Sequence, residues 1–378
     1  MTTAGQSKGG LDGVVVGQTA ISEVDGEHGK LTYHGYLIGE LAETAQYEEV
    51  VHLLWFGHLP TQSELDNLKA RLQAKRSLPE AVLNVIRALP TDAQPMDVLR
   101  TAVSAYGVAT NIQGKPTIDQ AIAITAIFPT ILAAFQRLRN GKEPVAPRDD
   151  LGHAANYLYM LTGETPAENH VRSLNSYLIL LADHDMNAST FVARSIASTE
   201  SDLCSSITGA IGALKGPLHG GAPSLVLDML NAIGTVDNVR PWIENALNNK
   251  QKIMGMGHRV YKTYDPRAEI LREMARRAST PEFFALAQKT EEVALDELHK
   301  RKPDERIWTN VEFYSAAVLH SVGLPGDLFT PTFGVARVAG WTAHVLEQVA
   351  NNRLIRPAVQ YVGPRGLKWT PIDQRTGQ

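Results

Sequence analysis

The stretch Lys215-Gly216-Pro217-Leu218-His219-Gly220-Gly221-Ala222 places one histidine among three glycines and a proline. A small-residue run, Ile207 to Leu214, leads into it, and a helical pattern, Pro223 to Leu230, leaves it. Glycine lets backbone and ligand approach closely. A histidine at the start of a helix feels the positive end of the dipole, which disfavours its imidazolium form. A neutral imidazole can donate a hydrogen bond to a carbonyl oxygen that is becoming negative. The competing reading is a turn that merely contains a histidine.

Four further stretches break the helical rhythm with reactive side chains. They are Ala182-Asp183-His184-Asp185-Met186-Asn187; Gly255-Met256-Gly257-His258-Arg259-Val260-Tyr261-Lys262 with Asp265-Pro266-Arg267; Asn310-Val311-Glu312-Phe313-Tyr314-Ser315; and Phe333-Gly334-Val335-Ala336-Arg337, with Arg353 and Arg356 beyond. Histidines and acids suggest zinc, but no HExxH or CxxC spacing is present. Arginines near histidines point instead to a small anion, because a guanidinium grips a carboxylate through two parallel hydrogen bonds. Three arginines with two or three histidines suit a dicarboxylate. Gly255-Met256-Gly257 could offer backbone N–H groups, but lacks the strand–turn–helix context of a dinucleotide fold.

Helices must position these stretches. Val14-Val15-Val16 and Leu31-Thr32-Tyr33 are β-prone, with Asp25-Gly26 as a turn between them. The period is helical from residue 40. Tyr47 to Phe56 forms one helix closed by Gly57, and Thr61-Gln62-Ser63-Glu64 is a capping box for the next. Pro79 and Pro95 stand as first-turn prolines. Thr117 with Gln120 caps a helix that runs to Arg139 and stops at Asn140-Gly141. Pro166 opens a helix ending near His184. Further helices are expected at 189–196, 202–214, 223–233, 239–249, 266–278, 281–300, 311–321 and 333–351. The fold class is all-α, with short N-terminal strands and about fifteen or more helices, well above the usual helix content.

At 378 residues the chain can build a large core and two domains. A net charge of −4 argues against general nucleic-acid binding. The single cysteine, Cys204, excludes an internal disulfide and a cysteine-rich metal site; its apolar helical setting makes it a small core residue. Met1 to Gly10 has neither a signal h-region nor an Arg-rich transit pattern, and no uninterrupted apolar run reaches the ~18 residues of a membrane span. A cytoplasmic protein without a membrane partner is expected.

Together these segments resemble the citrate synthase family, in the smaller prokaryotic form that includes 2-methylcitrate synthases. The resemblance rests on Gly216 to Ala222, Gly257 to Lys262, Asp265 to Ala268, Asp183-His184 with Asn187 to Phe191, and Gly340-Trp341-Thr342-Ala343-His344. It spans about residues 11 to 365. It implies a helical homodimer whose small domain is 219–318, with the large domain in two segments, 1–218 and 319–378. It implies condensation of oxaloacetate with an acyl-CoA thioester and hydrolysis of the intermediate, with no permanently bound cofactor and coenzyme A thioester as co-substrate. By matching motifs, His219 would polarise the thioester carbonyl and His258 the oxaloacetate carbonyl. His184, Asn187, Arg267 and Arg337 would hold oxaloacetate, completed by Arg356 from the partner subunit. Lys262 and Arg306 would meet coenzyme A phosphates, with Met256, Gly257 and Asn310 lining the cofactor side and the amides near Met256 and Gly257 facing adenine.

One motif departs. The family's base is an aspartate in Asn-Val-Asp-Phe-Tyr-Ser-Gly; here the segment reads Asn310-Val311-Glu312-Phe313-Tyr314-Ser315-Ala316. The preceding Trp308-Thr309 replaces a residue followed by proline. Glutamate can act as base beside a neutral histidine, as in the triosephosphate isomerase example. One added methylene moves the carboxylate by about 1 Å, an error that can cost ~10²-fold in rate. Three outcomes are open: a re-registered backbone with Glu312 as working base, a slow enzyme or one with another acyl preference, or a paralogue that binds or assembles without turnover.

Overall fold

The computed structural model describes residues 10–11, 14–220, 222–258, 261 and 263–375, with Ala222 described by its backbone only. A three-stranded antiparallel sheet opens the chain: β1 (Ser22–Asp25), β2 (Lys30–Tyr33) and β3 (Tyr36–Leu37), in that order. Ser22 pairs with Tyr33 and Asp25 with Lys30, so the Asp25-Gly26 turn falls where expected. The other β-prone run does not form a strand. Val14 to Val16 lies exposed, Val15 at 87 %, because no neighbouring strand offers it a ladder.

Sixteen helices follow among the described residues. They are α1 (Ile38–Thr44), α2 (Tyr47–Phe56), α3 (Gln62–Gln73), α4 (Glu80–Ala88), α5 (Pro95–Ala109), α6 (Ile118–Arg139), α7 (His153–Thr162), α8 (Glu168–Leu181), α9 (Ala188–Ala197), α10 (Leu203–Leu214), α11 (Ala222–Ile233), α12 (Val239–Asn248), α13 (Pro266–Ala278), α14 (Pro281–Arg301), α15 (Val311–Ser321) and α16 (Phe329–Ala350). Local chemistry sets many boundaries. Gly57 closes α2 at φ 79°, a left-handed conformation that glycine adopts freely. Thr61 with Glu64, and Thr117 with Gln120, form the two capping boxes read from the sequence. Pro95 is a first-turn proline, whereas Pro79 sits one residue earlier than expected, at the N-cap of α4.

Three boundaries differ more. The helix after Pro166 begins at Glu168 and ends at Leu181, so His184 stands beyond it in a turn. The last long helix starts at Phe329, four residues before the expected position. α7 was not anticipated; its N-cap is Gly152, which supplies no side-chain cap.

α6 and α16 run through the centre of the molecule. α6 is long and apolar enough to cross a membrane by length and composition, although Thr125, Thr130 and Gln136 interrupt its apolar run, and 83 % of its apolar window is buried in the protein. α16 packs against α2, α6, α8, α9 and α10. Its 22 residues span about 33 Å, enough to carry several functional side chains along one line. α11 to α15 form a second group, α11 and α13 against α15 and α12 against α14, joined to the rest through α13 on α8 and α11 on α16. Cys204 is buried, and burial pushes its thiol up to about 12, which fits a core residue.

Candidate active site

His184 is held by elements far from it in sequence. Tyr33 of β2 accepts the Asp183 N–H at 3.0 Å and its hydroxyl reaches the carbonyls of Ile179 (3.1 Å) and Asp183 (3.0 Å). Ser22 of β1 donates to Asp183 Oδ2 and accepts the Asp185 N–H at 3.0 Å. From the other side, α16 presents one face. Arg337 Nε donates to Leu181 O (2.7 Å), the Gly340 N–H lies 3.1 Å from Ala182 O, and His344 Nε2 lies 3.1 Å from Asp183 Oδ2. A side chain at Gly340 would collide with Ala182 O and Asp183 Oδ1, so only glycine lets the turn lie on the helix. Burial alone would raise the Asp183 carboxyl, but His344 and Arg337 hold it below its ordinary value.

His184 is thereby buried, its Nε2 3.1 Å from Tyr261 Oη and its ring 5.8 Å from that of His258. Burial, then Arg267 and Arg337, push its pKa well below the ordinary value. Burial and the two guanidiniums both favour the neutral imidazole. The Tyr261 N–H donates to His258 Nδ1 at 3.1 Å. A backbone N–H only donates, so a neutral His258 carries its proton on Nε2.

Two buried guanidiniums converge on this turn. Arg337 is 1 % exposed, lies 4.7 Å over the Phe333 ring, and has no ion pair among the described residues. Burial lowers its pKa, although a guanidinium stays charged at neutral pH. Arg267, in the first turn of α13, makes two hydrogen bonds to Asp265, Nε to Oδ1 at 3.0 Å and Nη2 to Oδ2 at 2.8 Å. Burial would lower Arg267, but the charge and hydrogen bonds of Asp265, with Tyr261 and Glu312, together raise it.

His219 lies in the turn after α10, three residues before α11 begins, so the helix-start expectation is corrected. Its pKa nevertheless falls, to about 4, through burial first and Arg337 second. Its Nε2 is 2.8 Å from Ser189 Oγ. That hydroxyl also accepts Trp341 Nε1–H at 3.0 Å and lies 2.8 Å from Asn187 Oδ1. Ser189 has one proton for two takers. When it goes to His219 Nε2, the imidazole proton sits on Nδ1, ready to donate to a ligand. Asn187 Oδ1 already receives the Thr190 N–H at 3.2 Å, so it is not orphaned. The Phe333 ring touches both poles, 6.5 Å from His219 and under Arg337.

Glu312 is the second residue of α15, whose N-cap Asn310 accepts the Glu312 N–H. Its Oε2 is buried without a hydrogen-bond partner, and burial raises its pKa while Arg267 opposes the rise. Asp265 couples this helix to the anion site, since its Oδ2 also accepts the Val311 N–H at 3.2 Å. The segment 255–257 lines the other side. Gly255 comes so close that a Cβ would meet Phe313 Cβ at 2.7 Å.

The structure thus links His184, His219, His258, Arg267, Arg337 and Glu312. Other expected residues stand differently. Asn187 and Asn310 act as helix N-caps and spend their amides on the protein; Asn310 Nδ2 donates to Gly257 O at 2.8 Å. The Gly257 N–H donates to Trp308 O at 2.7 Å, so it is not free for adenine, which corrects that part of the expectation; Met256 is buried beside it. Lys262 lies outside the described residues. Arg306 is exposed, 4.0 Å from Glu27. Arg356 is exposed and lines a groove with Val14 to Ala20, Met186 and Phe191. His52, His58 and Glu64 place ligand atoms within 4.8 Å of one another at the α2–α3 corner, a group that includes none of the site histidines. Sequence reasoning assigned no role to Ser189, Tyr261 or Asp265, although all three lie inside the quoted motifs; the signal was their adjacency to the histidines and Arg267.

The family model "Citrate synthase, C-terminal domain" matches residues 10–358. Citrate synthase 2 of Bacillus subtilis is 45% identical over 97% of this chain and 98% of its own length. 2-Methylcitrate synthase 2 of Corynebacterium glutamicum is 43% identical, with 97% of each chain covered. The crystal structure of Thermotoga maritima citrate synthase superimposes with TM-score 0.87 at 43% identity, over 98% of this chain and 100% of that one. Citrate synthase of Thermoplasma acidophilum, solved in a ternary complex with carboxymethyl coenzyme A and oxaloacetate, superimposes with TM-score 0.90 at 34% identity, over 97% of this chain and 98% of that one. The chain therefore belongs to the citrate synthase family and is an enzyme of its condensing, transferase type.

Proposed function

We propose that this chain condenses oxaloacetate with acetyl-CoA and hydrolyses the resulting citryl-CoA to citrate and free coenzyme A, with Glu312 as base. The observation that carries the reading is the pairing of two unsatisfied groups. Among the described residues Arg337 is a buried cation without an ion pair, and Glu312 Oε2 is a buried oxygen without a donor. A dicarboxylate supplies the first with its partner. The Thermoplasma acidophilum relative was solved in a ternary complex with carboxymethyl coenzyme A and oxaloacetate, which supports the same pair of ligands here.

In this reading Glu312 takes a proton from the carbon beside the thioester, and His219 Nδ1–H donates to the carbonyl oxygen as the enol forms. The enol carbon attacks the oxaloacetate carbonyl carbon. His258 Nε2–H stabilises the oxygen that becomes an alkoxide and then an alcohol. Water finally cleaves the thioester and releases coenzyme A. His184, Arg267 and Arg337 orient the oxaloacetate carboxylates. Closure of a small domain, 219–318, on the remainder would keep water out until the carbon–carbon bond forms.

The reading carries a homodimer in which Arg356 serves the partner subunit's site. Arg356 has no hydrogen bond or ion pair among the described residues, and the tail that follows exposes Val359, Tyr361, Val362, Leu367 and Trp369. Lys262 and the exposed Arg306 are assigned to coenzyme A phosphates, and a cytoplasmic place in the tricarboxylic acid cycle goes with the reaction. The relatives named 2-methylcitrate synthase favour propionyl-CoA as a second substrate, and one methylene separates the two by only ~1–3 kcal/mol.

The test is steady-state release of free coenzyme A from acetyl-CoA and propionyl-CoA with oxaloacetate, for the native protein and for Glu312→Gln. A loss of roughly 10³-fold in kcat for the variant is expected. A native protein that releases no thiol from either thioester would overturn the reading and favour a binding or assembly role.

A further inference from the structure

We infer that Glu291 is a positioning residue for Glu312, acting through the hydroxyls of Thr309 and Tyr314. The inference rests on the reading of Glu312 as the base. Glu291 stands on α14 with its side chain 14% exposed. Thr309 Oγ1 donates to Glu291 Oε1 at 2.7 Å, and Tyr314 Oη donates to Oε2 at 2.5 Å. Each carboxylate oxygen therefore takes one hydroxyl, while Arg272 Nε lies 3.6 Å from Oε2. Hydrogen bonds to an ionised acceptor are roughly twice as strong as neutral ones. Burial and the Glu291 charge push the Tyr314 phenol up, so it remains a donor throughout the working pH range.

The two donors bracket the base. Thr309 precedes the N-cap Asn310, and Tyr314 is the fourth residue of α15. Glu312 lies between them. The opposite side of the same turn is held by backbone: Asn310 N–H to Gly255 O at 3.0 Å and Gly257 N–H to Trp308 O at 2.7 Å. Gripped by α14 on one side and by 255–257 on the other, the first turn of α15 can neither rotate nor slide.

The bracket bears on the added methylene of Glu312. A longer side chain brings its carboxylate to a given point only if the backbone that carries it is set at a matching distance. Thr309 is a further departure in this segment, beside Ala316, and a proline there would have no hydroxyl for Glu291. The threonine bond is thus a hold on the backbone that accompanies the glutamate. Glu291 itself does no chemistry. It fixes where the Glu312 carboxylate meets the thioester.

Thr309→Val removes the donor and keeps the shape; Thr309→Ser keeps the donor; Tyr314→Phe removes the second hydroxyl. The measurement is kcat and KM for both substrates, the pH profile of kcat, and Tm, in the full-length protein. Thr309→Val is expected to lower kcat about tenfold, with the KM for oxaloacetate within about twofold. It should also shift the acid limb of the pH profile. Thr309→Ser should recover most of the rate, and Thr309→Val should have the lower Tm because it alone loses the bond to Glu291. In a Glu312→Asp background, Thr309→Val should change kcat by a different factor than in the native protein. Unchanged kcat in both Thr309→Val and Tyr314→Phe would overturn the inference, as would a serine variant no faster than valine. If Glu312→Gln keeps its rate, the base assignment fails. If Glu312→Gln is inactive while Thr309→Val is normal, the positioning role alone fails.

Discussion

Two buried guanidiniums reach the same histidine, and only one has a carboxylate of its own. Arg267 is gripped by Asp265 at two points, whereas Arg337 has a backbone carbonyl and an aromatic face. Both help to keep His184 neutral. Both are assigned to the substrate carboxylates, and the difference is that one of them also carries structure. Arg267 is compensated before any ligand arrives, so its pair orders the start of α13 and, through Val311, the start of α15. Arg337 shares the Asp183 charge with His344 and has no ion pair among the described residues, and burying an incompletely compensated ion costs free energy. A site that tolerates this has a use for an anion.

The contrast can be broken most strongly at the paired arginine. Arg267→Met leaves Asp265 buried with its charge unanswered, and a loss of about 3–5 kcal/mol in stability is expected from urea unfolding. A loss below 1 kcal/mol would show that the pair is not the structural half of the contrast. Arg337→Met should behave in the opposite manner. We expect the KM for oxaloacetate to rise roughly 10²-fold, because a charge-assisted hydrogen bond is worth about 1.5–3 kcal/mol, with Tm unchanged or raised. A Tm that falls as far as in Arg267→Met would erase the distinction.

The smallest effect is a pH dependence that sharpens it. His153 and His219 are held neutral by burial, at about 3 and about 4, against an ordinary value of 6.5. Below 6.5 the unfolded chain binds protons that the native state refuses, so stability is fully present above that pH and falls as pH drops toward 4. Arg337 contributes to the His219 shift, so Arg337→Met should flatten this slope slightly in chemical unfolding measured from pH 7 to 5. A steeper slope in the variant would contradict the assigned cause.

The site residues were legible because each sits in a short stretch where glycine, histidine and arginine interrupt a helical pattern. Their supports were not. Nothing near His184 in sequence announces Ser22, Tyr33 or His344, since those contacts arise only when the sheet and α16 close on the turn. The same limit applies to elements. α2, α3 and α6 carried their own stop and cap signals, whereas α7 begins without a side-chain cap. α16 also starts without one, at Leu328, so its apolar pattern pointed to a later start. Val14 to Val16 had strand composition, but a strand requires a partner. His219 proved neutral for a different reason from the one its position suggested: desolvation and a nearby guanidinium rather than a helix terminus.

Asp183 joins parts of the chain made at very different times. Its partners Ser22 and His344 lie 161 residues before and 161 residues after it. Translation at about 5–20 residues per second puts roughly 15–65 s between the appearance of the first and the last of the three. Until Asp183 emerges the N-terminal hairpin lacks this dock, and until α16 follows the turn bearing His184 lacks its floor. The turn bearing His184 is therefore among the last parts of the molecule to be completed, and a nascent chain halted before α16 would be helical yet without the contacts of Arg337, Gly340 and His344 beneath that turn.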